Sequence, residues 1–180
     1  MLGEAAQDPL DDGAQRRIDA LYGSFVRVGR CRVATVAAVR GAAVGAGLNL
    51  VLATDLRVVA RDARLIPGFL RLGVHPGGGH FTLLGRAAGR DAAAAVGLFD
   101  REIDGARAAG LGLAWDAVGD AEVEDLALRI AAPLAADPAL ARRMTASFRR
   151  EAGPPATSWE LGLEVERGPQ MWSFRRLGAG

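Results

Sequence analysis

Hydrophobic residues follow two patterns along this chain, short unbroken runs and positions spaced for helices. The runs Val33–Val39 and Leu56–Ala60 have the length and β-branched content of buried strands. Between them, a glycine-rich turn at Gly41–Gly47 opens into an apolar helical segment, Leu48–Ala53. A strand that passes through glycines into a helix start directs free backbone N–H groups at one point. That point favours a phosphate or a developing oxyanion.

Helical spacing dominates the rest of the sequence. In the predicted helix Asp11–Arg30, hydrophobic residues recur every three to four positions. Six further helices are predicted, at His80–Leu84, Asp91–Leu98, Asp104–Ala109 (capped by Asp104), Glu122–Ala135, Pro138–Arg149 and Thr157–Ser173. A last strand is predicted at Leu113–Val118, and Arg61–Gly79 is predicted to be mostly loop. Strands that alternate with helices predict an α/β fold with parallel strands. We expect an α/β core at 1–118 and a helical segment at 119–180.

Composition restricts the functional classes. The 180 residues are enough for one domain with a real core, and a net charge of +1 argues against a nucleic-acid surface. All 22 basic residues are arginines, which excludes Schiff-base chemistry on lysine. The single cysteine, Cys31, forms no internal disulfide or paired-cysteine metal motif, and a reducing cytoplasm is the expected location. Arg40 and three glycines interrupt the apolar run 33–54, and the chain starts with acidic and polar residues. Neither a membrane span nor a signal peptide is expected.

Three spaced blocks resemble the signature of the crotonase superfamily, the enoyl-CoA hydratases and isomerases. The first is Val36–Leu50 (VAAVRGAAVGAGLNL) with Asp55–Ala60, the second is Ala63–Gly79, and the third is Ala106–Val118. The resemblance extends over about residues 13–173. It implies a crotonase-like ββα spiral with a C-terminal helical segment. It also implies an N-terminally incomplete spiral, because the family's first strands and first oxyanion loop come before the matched blocks.

The resemblance also implies a site on an acyl-CoA thioester. The backbone N–H of Ala46 takes the place of an oxyanion donor, and the two glutamates of hydratases align with Asn49 and Phe69. Neither residue can shuttle protons as a glutamate does. The implied substrate-binding residues are Ala42, Val44, Gly45, Gly47, Pro67 and Gly68. No metal is implied, and no cofactor beyond the coenzyme A of the substrate.

Substitute acids and bases are few. His75 or His80 could act as a general acid or base, because imidazole titrates near neutral pH. The structural alternative makes His80 a capping or packing residue at its helix start. Asn49 has a similar pair of interpretations, since its amide could bind a substrate oxygen or could be a satisfied polar group in the core. Asp55 lies too far along the helix, and Glu102 and Asp104 lie outside the matched blocks.

Three functional hypotheses follow. The first is an acyl-CoA enzyme that stabilises an enolate at its oxyanion site but hydrates enoyl-CoA slowly, since both glutamates are replaced. The second is a non-catalytic acyl-CoA-binding or assembly protein of the same fold. The third, a dinucleotide-binding domain, needs G-x-G-x-x-G, but the turn Gly45–Leu50 lacks the third glycine.

The predicted last helix carries apolar residues around a charged face. These apolar residues are Trp159, Leu163, Val165 and Trp172. In the family this helix packs against neighbouring subunits, so the resemblance implies a homotrimer or hexamer. No nucleic-acid or membrane partner is expected.

Overall fold

The strands form two small sheets in the computed structural model, which describes residues 12–151 and 158–178. In these ranges the strands are β1 (Val36–Val39), β2 (Ala42–Val44), β3 (Leu56–Ala60), β4 (Arg64–Ile66), β5 (Ile103–Asp104) and β6 (Asp116–Val118). The helices are α1 (Asp12–Gly29), α2 (Ala46–Leu52), α3 (His80–Ala93), α4 (Gly105–Gly110), α5 (Val123–Ala135), α6 (Pro138–Glu151) and α7 (Trp159–Gly178). A π-helical turn (Ala94–Leu98) and a 3-10 turn (Asp120–Glu122) follow α3 and β6.

The first sheet is parallel, with the strand order β1-β3-β6. Val36 lies opposite Leu56 and Val39 lies opposite Val59, which confirms that the two apolar runs are adjacent parallel strands. The central strand β3 has no accessible surface over residues 58–60. Its unbroken apolar sequence reflects this, because both of its faces are covered.

The second sheet has the order β2-β4-β5, in which β2 and β4 are parallel and β5 is antiparallel. Two residues separate β1 from β2 and three separate β3 from β4, so the chain crosses twice from the first sheet to the second. A helix follows the first crossing, as in a ββα spiral. β2 and β4 lie where the sequence pattern predicts a turn and a loop, so those two predictions are wrong. Three-residue strands are too short to show a period.

Helix boundaries differ from expectation in a few places. The segments predicted as His80–Leu84 and Asp91–Leu98 are joined in α3, which is broken at Gly89 (φ 79°, ψ 178°) and continues into the π-helical turn. The observed strand β6 is shorter than the predicted strand Leu113–Val118, because only residues 116–118 pair with β3. The predicted starts of the first and last helices, Asp11 and Thr157, lie outside the described residues.

The cap on α4 was predicted correctly. The Asp104 side chain accepts the N–H of Arg107 at 2.7 Å, which satisfies one of the free donors in the first turn of the helix.

The C-terminal helices return to the core. α5 packs on β1 and β3, α6 packs on α5, and α7 inserts Trp159 into the main core and Phe174 beside Ile18. Val165 and Trp172, two of the apolar residues noted on the last helix, are 64% and 59% exposed in the single chain. No helix in the two described ranges is long and apolar enough to cross a membrane. The division at 118/119 and a subunit-contact role for 119–180 stay predictions.

Two glycines of α4 provide a test of the packing against β3. A Cβ on Gly105 would lie 1.9 Å from the carbonyl oxygen of Ala60, whereas one on Gly110 would meet nothing within 4 Å. We expect Gly105→Ala to lower the free energy of unfolding by about 2 kcal/mol or more, because backbone must move to admit the methyl group. Gly110→Ala should be neutral or stabilise by up to about 1 kcal/mol. Urea unfolding followed by circular dichroism measures both, and equal effects would contradict the packing described.

Candidate active site

β2 enters α2 through one glycine in a left-handed conformation. Gly45 has φ 50° and ψ −111°, which side-chain-bearing residues rarely adopt. Its N–H donates to the carbonyl oxygen of Ile66 at 2.9 Å, which ties the turn to β4. The next two N–H groups, of Ala46 and Gly47, have no acceptor among the described residues. They are first-turn donors of a helix, available to an acceptor from outside.

A cavity of about 270 Å³ lies beside this turn. Its walls come from α1, the start of α2, the loop after β4 and the helix α7. The lining residues are Ile18, Leu21, Tyr22, Val44, Gly45, Ala46, Asn49, Pro67, Phe69, Leu72, Val74, Gly77, Gln170 and Phe174. This lining, drawn from the described residues, is mostly apolar and includes no carboxylic acid, histidine or cysteine.

The structure brings together most of the predicted site residues. Those that line the cavity are Val44, Gly45, Ala46, Asn49, Pro67 and Phe69. Three others, Ala42, Gly47 and Gly68, do not line it. Ala42 is exposed on β2, and the N–H of Gly68 donates to Asp100 Oδ1 at 2.7 Å.

Asn49 is a fully buried residue whose amide is occupied within the protein. Its Nδ2–H donates to the carbonyl oxygen of Gly77 at 2.8 Å, and its Oδ1 lies 2.7 Å from Nδ1 of His80. The interpretation as a satisfied core residue is therefore the one the structure supports. The alternative, an amide that binds a substrate oxygen, stays a prediction, because Asn49 lines the cavity and one of its two Nδ2–H donors is used by Gly77.

The Asn49 amide also fixes the protonation of His80. A carbonyl oxygen can only accept, so Nδ2 of Asn49 is the donor to Gly77 and Oδ1 is the acceptor for His80. Nδ1 of His80 must then carry the hydrogen, which leaves a lone pair on Nε2. This Nε2 is the buried side-chain polar atom that has no partner within the described residues.

His80 is held neutral in an apolar setting. It begins α3, has no accessible surface, and contacts the Phe69 ring edge-on at a centroid distance of 4.9 Å. Burial lowers the pKa of His80 to about 4, against a weak opposing effect of Asp100. Phe69 thus touches both the cavity and the imidazole, although His80 itself does not line the cavity.

A buried carboxylate of α7 caps α3 from outside the helix. Glu166 accepts the N–H groups of Gly79 at 2.8 Å, His80 at 3.2 Å and Phe81 at 3.3 Å. Burial raises the pKa of the Glu166 carboxyl, and the three backbone hydrogen bonds oppose that rise. This cap connects α7, the last described helix, to the glycine loop before α3, which borders the cavity.

Two other side chains of α7 fix the glycine loop 77–79. Trp159 donates its indole N–H to the carbonyl oxygen of Gly78 at 3.0 Å, and Gln170 donates to the Tyr22 hydroxyl. Burial raises the pKa of Tyr22 to about 12, despite its hydrogen bond with Gln170. A Cβ on Gly77 would lie 2.1 Å from Nε2 of Gln170, so a larger residue there requires the side chains of Gln170 and Tyr22 to shift.

Of the buried residues of α7, Trp159 was singled out from sequence, whereas Glu166, Gln170 and Phe174 were not. Among the residues of α7 whose burial is described, these four are the buried ones. Their spacing of seven, four and four places them on one helical face, which was the available signal. Glu166 and Gln170 were passed over because a glutamate and a glutamine are usually exposed.

The other acids and bases considered lie away from the cavity. Asp55 accepts hydrogen bonds from Thr35 and Arg149, and although burial raises its pKa, these bonds lower it below the ordinary value. Glu102 pairs with Arg64 at the surface. Nδ1 of His75 lies 2.6 Å from the carbonyl oxygen of Pro76. In the described part of the chain, no three metal-ligating side chains are close enough to hold an ion.

Comparison with known proteins identifies the family. The model of the enoyl-CoA hydratase/isomerase family matches residues 3–166. The chain belongs to this family. It is 40% identical over 177 residues to the "Probable enoyl-CoA hydratase EchA14" of Mycobacterium tuberculosis, covering 97% of this chain and 67% of that protein. It is 30% identical over 148 residues to the "1,2-epoxyphenylacetyl-CoA isomerase" of Escherichia coli, covering 82% of this chain and 56% of that one.

The solved structures of the family confirm the predicted fold. The crystal structure of an enoyl-CoA hydratase from Bacillus halodurans superimposes with a TM-score of 0.79 at 24% identity, covering 99% of this chain and 73% of that one. The crotonase-like α/β architecture was therefore predicted correctly. The family is one of enzymes, and the relatives named here include both a hydratase and an isomerase.

The buried, neutral His80 predicts a pH-dependent stability. Its folded pKa of about 4 lies below the ordinary 6.5, so the unfolded chain binds the proton more readily. Stability is then lost as pH falls from about 6.5 to about 4, and the full loss is about 3 kcal/mol. His80→Gln, whose amide can still donate to Asn49, should remove this component. Free energies of unfolding at several pH values measure it.

His75→Gln is the matched control for that experiment, since the sequence has two histidines. This variant should keep the acid-side loss of stability seen in the parent chain. The comparison of variants cancels contributions from other groups, including Glu166. A loss of the same size in His80→Gln and the parent would contradict the neutral buried imidazole.

Proposed function

We propose that this chain binds acyl-CoA thioesters, with the acyl group in the apolar cavity and the thioester carbonyl at the N–H of Ala46. The observation that carries the proposal is a mostly apolar cavity with an unused backbone donor at its wall. An N–H at that position would stabilise an enolate oxygen, and one such donor is worth about 3 kcal/mol in related chemistry. The names of the relatives, which concern enoyl-CoA and epoxyphenylacetyl-CoA, favour the same substrate class.

The remaining site residues have indirect roles in this proposal. Val44, Gly45 and Pro67 border the acyl group, while Gly47 offers a second N–H in the first turn of α2. Ala42 and Gly68 shape the strand and loop on either side of the cavity. Coenzyme A is part of the substrate, and no other cofactor enters. A cytoplasmic homotrimer or hexamer belongs to the same proposal, with the 72% exposed Trp115 as a candidate contact.

Hydration should be slow in this chain. Water addition needs one group to activate water and another to deliver a proton, and each such group contributes about 10²- to 10⁴-fold. No carboxylate or histidine is found in the cavity lining, and Asn49 is occupied by Gly77 and His80. The same observation favours a second candidate function, a non-catalytic acyl-CoA binder of the same fold.

Substitution at Ala46 tests the proposed carbonyl contact. Proline is tolerated in the first turn of a helix but has no N–H, so Ala46→Pro deletes the donor while keeping the helix start. We expect the dissociation constant of crotonyl-CoA to rise about tenfold, because a buried carbonyl loses its hydrogen bond. Ala46→Gly retains the N–H and should bind as the parent does. Calorimetric titration measures all three.

Two results would contradict the proposed contact between the thioester carbonyl and the N–H of Ala46. Unchanged affinity in a folded Ala46→Pro variant would place the thioester carbonyl elsewhere. Equal losses in the proline and glycine variants would assign the effect to the methyl group. Circular dichroism of each variant checks that the fold is retained.

Substitution at Phe69 tests whether a missing carboxylate limits the rate. Phe69 lines the cavity and is half-buried, so Phe69→Glu places a carboxylate at its wall without filling the core. We expect crotonyl-CoA hydration to rise at least about tenfold, since an acid-base group is restored. Phe69→Gln, of the same shape, should give no gain. If the glutamate variant binds crotonyl-CoA and gains nothing, the non-catalytic candidate is the better account.

A further inference from the structure

A second cavity lies between the segment after α1 and helix α6. Its volume is about 530 Å³, and no carboxylate lines it. Five of the chain's 22 arginines do, namely Arg30, Arg32, Arg142, Arg143 and Arg149. Cys31 lies among them.

Only two of these arginines are neutralised within the described residues. Arg149 forms an ion pair with Asp55 and also donates to the carbonyl oxygen of Cys31. Arg30 pairs with Glu160 at the surface. No ion pair joins Arg32, Arg142 or Arg143 to another residue in the described ranges. Within the described residues, these three exposed arginines therefore line the cavity without a carboxylate partner.

This concentration of positive charge is local. The whole chain has 22 basic and 21 acidic residues, so its net charge of +1 does not require a cationic cavity. Like charges close together raise the energy of the folded state, and a bound anion would relieve that repulsion. Arginine is the residue best suited to the task, because its planar fork donates two parallel hydrogen bonds to phosphate oxygens.

We propose that this cavity binds a small molecule with a terminal diphosphate group, at a site separate from the acyl cavity. A terminal diphosphate carries about three negative charges at neutral pH, which matches the three unpaired guanidinium groups. The volume falls within the range of small-molecule sites and leaves room for an organic group beyond the phosphates. The two cavities have no lining residue in common.

Cys31 provides a direct readout of occupancy. It is the one cysteine of the sequence, it is half-buried, and it lines the cavity. The rate of its reaction with uncharged N-ethylmaleimide is measured against inorganic pyrophosphate, uridine diphosphate and uridine. We expect pyrophosphate and uridine diphosphate to slow labelling at least about tenfold with saturation, and uridine to have no effect. Absence of protection, or equal protection by sulfate at matched ionic strength, would overturn the proposal.

Variants test the role of the arginines. The double variant Arg142→Gln/Arg143→Gln should lose most of the protection, whereas Arg16→Gln should keep it. Arg16 is exposed near the other end of α1 and lines neither cavity. The double variant Arg142→Lys/Arg143→Lys should retain part of the protection, because lysine keeps the charge but lacks the planar, two-pronged guanidinium donor. Full protection in the glutamine double variant would overturn the proposal.

Crotonyl-CoA tests whether the site is separate. It carries no terminal diphosphate, because its diphosphate is esterified at both ends and its ribose bears only a monophosphate. It should therefore leave the labelling of Cys31 unchanged, and the pyrophosphate concentration for half-maximal protection should stay within twofold. If crotonyl-CoA protects Cys31 and competes with pyrophosphate, the arginine-lined cavity is part of the thioester site. That result would overturn the proposal of two separate sites. Failure of crotonyl-CoA to bind at all would count against the proposed acyl site but would leave the pyrophosphate result unaffected.

Discussion

The shape of the acyl cavity depends on one buried carboxylate, that of Glu166. Its hydrogen bonds to the N–H groups of Gly79, His80 and Phe81 bring the last described helix onto the start of α3. A buried carboxylate is tolerated only where its oxygens are satisfied, so α7 is restricted to the register that provides these donors. With α7 in that register, Gln170 and Phe174 form one wall of the cavity.

The same cap places His80 and, through it, Asn49. His80 begins α3 directly at the capped N–H groups, and its ring donates to the amide that in turn binds Gly77. Beside the cavity, Gly77, Asn49 and His80 are therefore linked by hydrogen bonds, and within the described residues the buried side-chain polar atom left without a partner is Nε2 of His80. This arrangement leaves the N–H of Ala46 available at the cavity wall, while the lining drawn from the described residues includes no carboxylate or histidine. In our account, binding and enolate stabilisation survive in this chain while fast hydration does not.

The parts of the fold that were predictable from sequence are those determined by local patterns. The apolar runs at β1 and β3 can be recognised as strands from the sequence, because a strand covered on both faces must be apolar throughout. The short strand β2 was not predictable, since its three residues become a strand only by pairing with β4. Glu166 was missed for the same physical reason. Its burial depends on donors that lie more than 80 residues away in the sequence.

The candidate site was partly predictable as well. Ala46, Asn49 and Phe69, which the resemblance groups in one site, line the same cavity, because a hydrogen bond ties the turn at Gly45 to the end of β4; their roles stay predictions. The state of Asn49 was not predictable. Whether an amide is open or occupied depends on which groups the tertiary structure brings to it, here Gly77 and His80.

The most direct test of the central claim is a crystal structure of this chain with butyryl-CoA, a saturated thioester that cannot be hydrated. The account predicts the thioester oxygen at about 3 Å from the backbone nitrogen of Ala46, the distance of a hydrogen bond. The butyryl chain should lie in the apolar cavity, against Phe69 and Val74. A butyryl group bound outside that cavity, or a carbonyl directed away from α2, would contradict the account.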